Sequence, residues 1–147
     1  MDPQQCSMCS RWQKEPDLQI IELAQTRLVL NRDQFFPGYC LLFSKVHATE
    51  LFHLSNDDFL TMMSEVRLVA KALYKLYCPT KMNYELLGNM VPHIHWHLVP
   101  RFDSDPLWPK PIWSEPHTES HLADDDCSRR CNEIRNAVLR ELECSIP

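Results

Sequence analysis

The 147-residue sequence has only two glycines, Gly38 and Gly88. A glycine-rich loop that cradles phosphate through successive backbone N–H groups is therefore excluded. No apolar run approaches the roughly 18 residues needed to cross a bilayer. Basic charge is not in excess: 15 Lys and Arg stand against 20 Asp and Glu, a net charge of −5 with His neutral. That argues against an extended nucleic acid or an anionic membrane as partner, while a local pocket can still take a small anion. The polar, acidic opening MDPQQCSMCSRW lacks the layout of a signal peptide, which sets the expectation of a cytoplasmic protein. The seven cysteines are odd in number and scattered, unlike a secreted disulfide framework, so free thiols are expected. What is present is ordinary for a soluble domain, with 44% hydrophobic and 24% charged residues. The length suits a single domain over 1–147 that needs no staples.

Along the chain, residues 1–17 read as an irregular lead-in carrying a CxxC at Cys6 and Cys9. LQIIELAQTRLVLN (18–31) reads as a hairpin meeting near Gln25, and YCLLFS (39–44) as a central strand. Ser55 reads as the N-cap of a long helix, with Asp57 and Asp58 favouring its dipole, and Pro79 as its stop. The helix's apolar stripe, from Phe59 through Met62, Val66, Val69 and Leu73 to Tyr77, is a packing face. KMNYELL (81–87) and HIHWHLVPR (93–101) read as a fourth and a fifth strand. Residues 103–123 form a proline-rich loop, and residues 124–147 carry a C-terminal helix from about Cys127 to Glu143. These elements predict an α+β fold, an antiparallel sheet of about five strands with one long helix and a C-terminal helix.

The strongest feature is three histidines at i, i+2 and i+4. In a strand, His93, His95 and His97 line one face, and Ile94, Trp96 and Leu98 line the other. Imidazole titrates near neutrality and can serve as nucleophile, acid, base or metal ligand. Arg101, just past this run, could meet a phosphate. Surface histidines on an amphipathic strand are the plain alternative. A purely metal-binding face is another, although same-side positions about 6.7 Å apart converge on one ion only with strain.

HIHWHLV fits the H-φ-H-φ-H-φ-φ signature and resembles the histidine triad (HIT) superfamily, whose members act on the α-phosphate of nucleotides. NYELLGNMVPHIHWHLVPRF is similar to bacterial-type HIT hydrolases of the diadenosine tetraphosphate hydrolase kind, and the resemblance covers roughly residues 18–102. It implies that His95 is the nucleophile and that His97 holds phosphate oxygens and helps the leaving group. His93 would support the site or bind metal. It further implies that Asn31, sixteen residues before His47, contacts ribose, and that Asn83 and Asn89 reach the α-phosphate or the bridge oxygen. A turn role rivals that for Asn31 and for Asn89, which follows Gly88. Where the family often carries Gln or Ser before the triad, this sequence has Asn-Met-Val-Pro.

The resemblance also implies a structural zinc held by Cys6, Cys9, His47 and His93, against two ordinary thiols as the rival reading. It implies a homodimer as well. The expected substrate is a dinucleoside polyphosphate, a nucleoside phosphoester or a phosphoramidate, with no organic cofactor. A nucleotidyl transferase or phosphorylase would share the intermediate, and a non-catalytic nucleotide- or zinc-binding module would show no turnover. Trp108, Trp113, His117 and His121 lie in the proline-rich loop, which could close over a substrate, and Leu28 and Phe36 read as core.

Overall fold

Five strands form one wholly antiparallel sheet in the computed structural model, which describes residues 5–144. They are β1 (Gln19–Glu22), β2 (Thr26–Leu30), β3 (Cys40–Ser44), β4 (Lys81–Glu85) and β5 (His95–Arg101), arranged β1-β2-β3-β5-β4. β5 pairs Leu41 with His97 and Phe43 with His95 on one side, and Glu85 with His97 on the other. The expected α+β architecture is the one observed. Residues 1–4 and 145–147, at the ends of the expected lead-in and C-terminal segment, lie outside the described residues.

Two long helices cover one face. α2 (Asn56–Tyr77) starts where Ser55 accepts a hydrogen bond from the backbone N–H of Asp58, a serine cap. It ends at Cys78, which adopts φ 49° ahead of Pro79. α3 (Asp124–Glu143) takes in the three aspartates expected to precede it, because carboxylates in a first turn are favoured by the helix dipole. The two helices pack on each other, α3 against β1 and α2 against β5. No helix among the described residues is long and apolar enough to cross a membrane.

The lead-in is not irregular. Ser7–Lys14 form a helix, α1, followed by a single 3₁₀ turn at Pro16–Leu18. Eight residues are too few for stable helix in isolation. Tertiary contacts hold it: Met8 is buried and the Arg27 guanidinium lies 5.6 Å from the Trp12 ring, with a local Arg11–Glu15 pair at 2.8 Å adding to them. Arg27 pairs with Phe43 in the sheet, and Phe43 with His95, so α1 sits on the histidine face.

The turn between β2 and β3 sets two site residues. Buried Gln34 donates to the carbonyls of Asn31 and Tyr39 and accepts from the Gly38 N–H. Gly38 has φ 84°, and a Cβ there would lie 2.6 Å from the Tyr77 ring, so only glycine fits.

Candidate active site and metal centre

His95 and His97 lie on β5, but His93 stands two residues before it. The three imidazoles therefore do not share one strand face, contrary to the strand expected over 93–101. The Val-Pro turn ahead of His93 and the bond from its own N–H to the Val91 carbonyl keep the segment out of the ladder. His93 turns toward α1, and His95 and His97 stay side by side, their ring centroids 5.0 Å apart.

Each ring is fixed by a different partner. His95 Nδ1–H donates to the His93 carbonyl at 2.6 Å, which leaves a lone pair on Nε2. Burial pushes its pKa down, the His93 carbonyl opposes that, and the Arg11 charge reinforces it. With Nδ1 engaged in this way, Nε2 is the nitrogen left to take part in chemistry. His93 Nε2–H donates to the Ser44 carbonyl at 2.9 Å, with the Ser44 hydroxyl at 3.0 Å, which leaves Nδ1 free. His97 Nδ1 lies 2.5 Å from the Tyr39 hydroxyl. Burial, with His95 and Arg11 adding to it, brings the His97 pKa down to about 4.

The free Nδ1 of His93 faces Cys6 Sγ and Cys9 Sγ, each at 3.5 Å, and Cys9 Sγ is 3.3 Å from His47 Nδ1. All four ligand atoms lie within 4.8 Å of one another. Zinc bonded to sulfur at about 2.3 Å and to nitrogen at about 2.0–2.1 Å places neighbouring N and S about 3.6 Å apart in a tetrahedron. The spacing fits, and the soft donor set suits that ion. These four residues could hold a metal ion. Burial raises the Cys9 thiol to about 11, and the charge of a bound cation would be what draws its proton off.

A cavity of about 570 Å³ lies between the β2–β3 turn and the proline-rich loop. The β2–β3 turn supplies Asn31, Asp33, Phe36 and Tyr39 to its wall, and the proline-rich loop supplies Ile112, Trp113 and His117 among others. Two of its wall residues touch His97: the Trp113 ring stands edge-on to it at 4.8 Å and the Tyr39 hydroxyl lies 2.5 Å from its Nδ1. The loop is tied down where His117 Nε2 meets Asp33 at 2.8 Å and its ring stacks on Phe35 at 4.2 Å.

The HIT domain profile matches residues 13–104, well over half of the chain. The chain belongs to the HIT family. This HIT chain is 28% identical over 89 residues to an adenosine 5'-monophosphoramidase of Schizosaccharomyces pombe, covering 58% of this chain and 67% of that one. It is 30% identical over 101 residues to the corresponding enzyme of Saccharomyces cerevisiae, covering 67% and 63%. The chain thus spans about two thirds of the length of these relatives. A zinc-bound histidine triad family protein from Mycobacterium smegmatis shares its fold, with a TM-score of 0.70, 20% identity and coverage of 97% of this chain and 99% of that one.

Among the other expected site residues of this HIT chain, Asn31 lines the cavity, its amide donating to the Asp33 carbonyl at 3.0 Å. Asn89 is exposed in the turn before His93. Arg101 is not presented to the cleft: its side chain is 1% exposed. It donates to Asp105 at 2.7 Å, to Asn83 at 2.9 Å and to the Lys110 carbonyl at 3.0 Å, and lies over Phe36 at 4.9 Å. Arg101 and Asn83 therefore fasten the proline-rich loop to the sheet in place of the expected phosphate contacts. A guanidinium out of water needs such acceptors, and the loop provides them. Sequence reasoning missed Tyr39, Arg11 and the contact of Trp113 with His97. The alternation of β3 against β5 carried a signal only for Tyr39, two residues before Leu41, the partner of His97.

Proposed function

We propose that this HIT chain is a hydrolase that cleaves a nucleotide at its α-phosphate through a nucleotidyl-histidine intermediate on His95. The observation that carries the reading is the bond from His95 Nδ1–H to the His93 carbonyl at 2.6 Å, which commits Nε2 as the attacking atom. Nε2 forms a bond to phosphorus while the bond from phosphorus to the leaving group breaks, the leaving group departing with the electron pair and taking up a proton. Water then attacks phosphorus, releasing the nucleoside monophosphate and neutral His95. His97 donates to the phosphoryl oxygens. Asn31 holds the ribose at the cavity wall, and Asn89 approaches the phosphate from the turn before His93.

Nucleoside phosphoramidates are the favoured substrates, in keeping with the names of the yeast relatives, with dinucleoside polyphosphates and phosphoesters as further candidates. Cys6, Cys9, His47 and His93 hold a structural zinc, a reading supported by the tetrahedral spacing and by the zinc in the mycobacterial homologue. Zinc coordination requires both thiols reduced, which suits the cytoplasm. The chain works as a homodimer through the edge strand β4 and α2, where Tyr74 and Tyr84 are exposed.

The test is intact mass after brief incubation with adenosine 5'-phosphoramidate and an acid quench. The expected result is an adenylyl adduct on the wild type, and neither adduct nor turnover in His95→Ala. Undiminished turnover in His95→Ala overturns the reading.

A further inference from the structure

The two cleft histidines are neighbours with opposite needs. His95 must keep a lone pair on Nε2 to attack, and a ring beside it that contacts phosphoryl oxygens must offer an N–H instead. His95 is set by a backbone carbonyl. His97 has no such carbonyl among its described partners; the Tyr39 hydroxyl, 2.5 Å from Nδ1, takes that place.

We infer that Tyr39 is the positioning residue of His97: its hydroxyl donates to Nδ1 and so holds the ring in the tautomer that carries its proton on Nε2, toward the reacting phosphate. The inference rests on the reading of His95 as nucleophile and assigns what makes the next imidazole a donor.

Several observations fix the direction of this bond. Burial pushes the Tyr39 phenol well above its ordinary range, with the Glu85 charge adding to the shift and Arg11 opposing it, so the hydroxyl keeps its proton. His97 is neutral near pH 7, because burial brings it down to about 4. A neutral ring has one N–H and one lone pair. Among the described residues no other hydrogen-bond acceptor faces the Tyr39 hydroxyl, so its proton goes to Nδ1 and the ring's own proton sits on Nε2. The geometry is held from both sides. Gln34 and the Asn31 N–H both bond the Tyr39 carbonyl, at 2.9 and 3.0 Å, and fix the start of β3. Trp113, edge-on at 87°, closes the other side of the His97 ring.

The experiment is a two-bond ¹H–¹⁵N correlation of the ring nitrogens in the full-length, metal-loaded protein at neutral pH, together with steady-state kinetics on adenosine 5'-phosphoramidate. The expected wild-type pattern is Nδ1 unprotonated and Nε2 protonated at His97, with the reverse at His95. Tyr39→Phe keeps the ring and deletes the hydroxyl. It should mix the His97 tautomers and lower kcat about tenfold while KM changes less than about twofold, because the lost interaction belongs to the transition state. A protonated Nδ1 at His97 in the wild type overturns the inference. An unchanged tautomer or an unchanged kcat in Tyr39→Phe overturns it as well. The spectra need no turnover, so a failure of His95 as nucleophile and a failure of Tyr39 as its neighbour's anchor are separately visible.

Discussion

His93 and His97 flank the same residue, carry the same side chain and are both withdrawn from water, yet they are turned to opposite uses. At one end Nε2 is spent on the Ser44 carbonyl and Nδ1 is left for two cysteines and a second histidine. At the other end Nδ1 is engaged by Tyr39 and Nε2 is left for the cleft. Position in the repeated motif does not assign the role. The atom that the surroundings occupy assigns it, because an imidazole has one nitrogen to anchor and one to use. The two ends differ in support too. The cysteine end is built by side chains from the start of α1 and the segment after β3, whereas the cleft end depends on a loop pinned by a few polar contacts.

The sharpest way to break this contrast is at the cysteine end. Chelation of the metal-loaded protein, or the double change Cys6→Ser and Cys9→Ser, should lower Tm by roughly 10 °C, since metal binding of this kind is folding free energy. It should also slow turnover about tenfold, because the His93 carbonyl that sets His95 loses its anchor. Calorimetry and steady-state rates on the same samples check both, and a loss of Tm without loss of rate would separate the two ends.

Next in size is Arg101→Met, which leaves Asp105 without its ion pair in a buried setting. A cost of about 3 kcal/mol is expected in urea unfolding, with KM raised because the loop over the cavity is released. His117→Ala should do less, about 1 kcal/mol or below, and raise KM a few-fold with kcat nearly intact, because it removes the Asp33 contact, the stack on Phe35 and an edge contact with Phe36 at the cavity wall.

The smallest effect is in pH. The folded pKa of His97, about 4, lies below its ordinary 6.5. Between those values the unfolded chain binds more protons, so stability rises with pH there. The contribution is fully present above about 6.5 and is lost as pH falls toward 4. Urea midpoints across that window should therefore decline on acidification, and His97→Gln should decline less steeply.

Much of this was readable from periodicity. The hairpin, the long helix with its serine cap and the five strands followed from alternation and spacing, because each buries a stripe whose period the sequence displays. The resemblance carried by the histidine motif named His95 as the expected nucleophile, and it also named Cys6, Cys9, His47 and His93, which the fold brings together. α1 was not legible, since a helix of eight residues owes its order to what it packs on. The surroundings of Arg101 were not legible for a related reason: its acceptors, Asp105, Asn83 and the Lys110 carbonyl, come together around it only in the fold. Trp113 and Arg11 reach the histidines only through the path of a loop and the placement of a short helix, and neither leaves a periodic mark.

The strand order has a further consequence, for assembly. β4 precedes β5 in the chain, but among the described residues its only partner in the sheet is β5, which slides between it and β3. Until the histidine strand has been synthesised and has found β3, across the fifty residues between them, β4 lacks its sheet partner. Such long-range closure is slow and comes late. The strand bearing His95 and His97 is therefore also the keystone of the sheet, and a nascent chain cannot bring these imidazoles together with their neighbours before the architecture around them is locked.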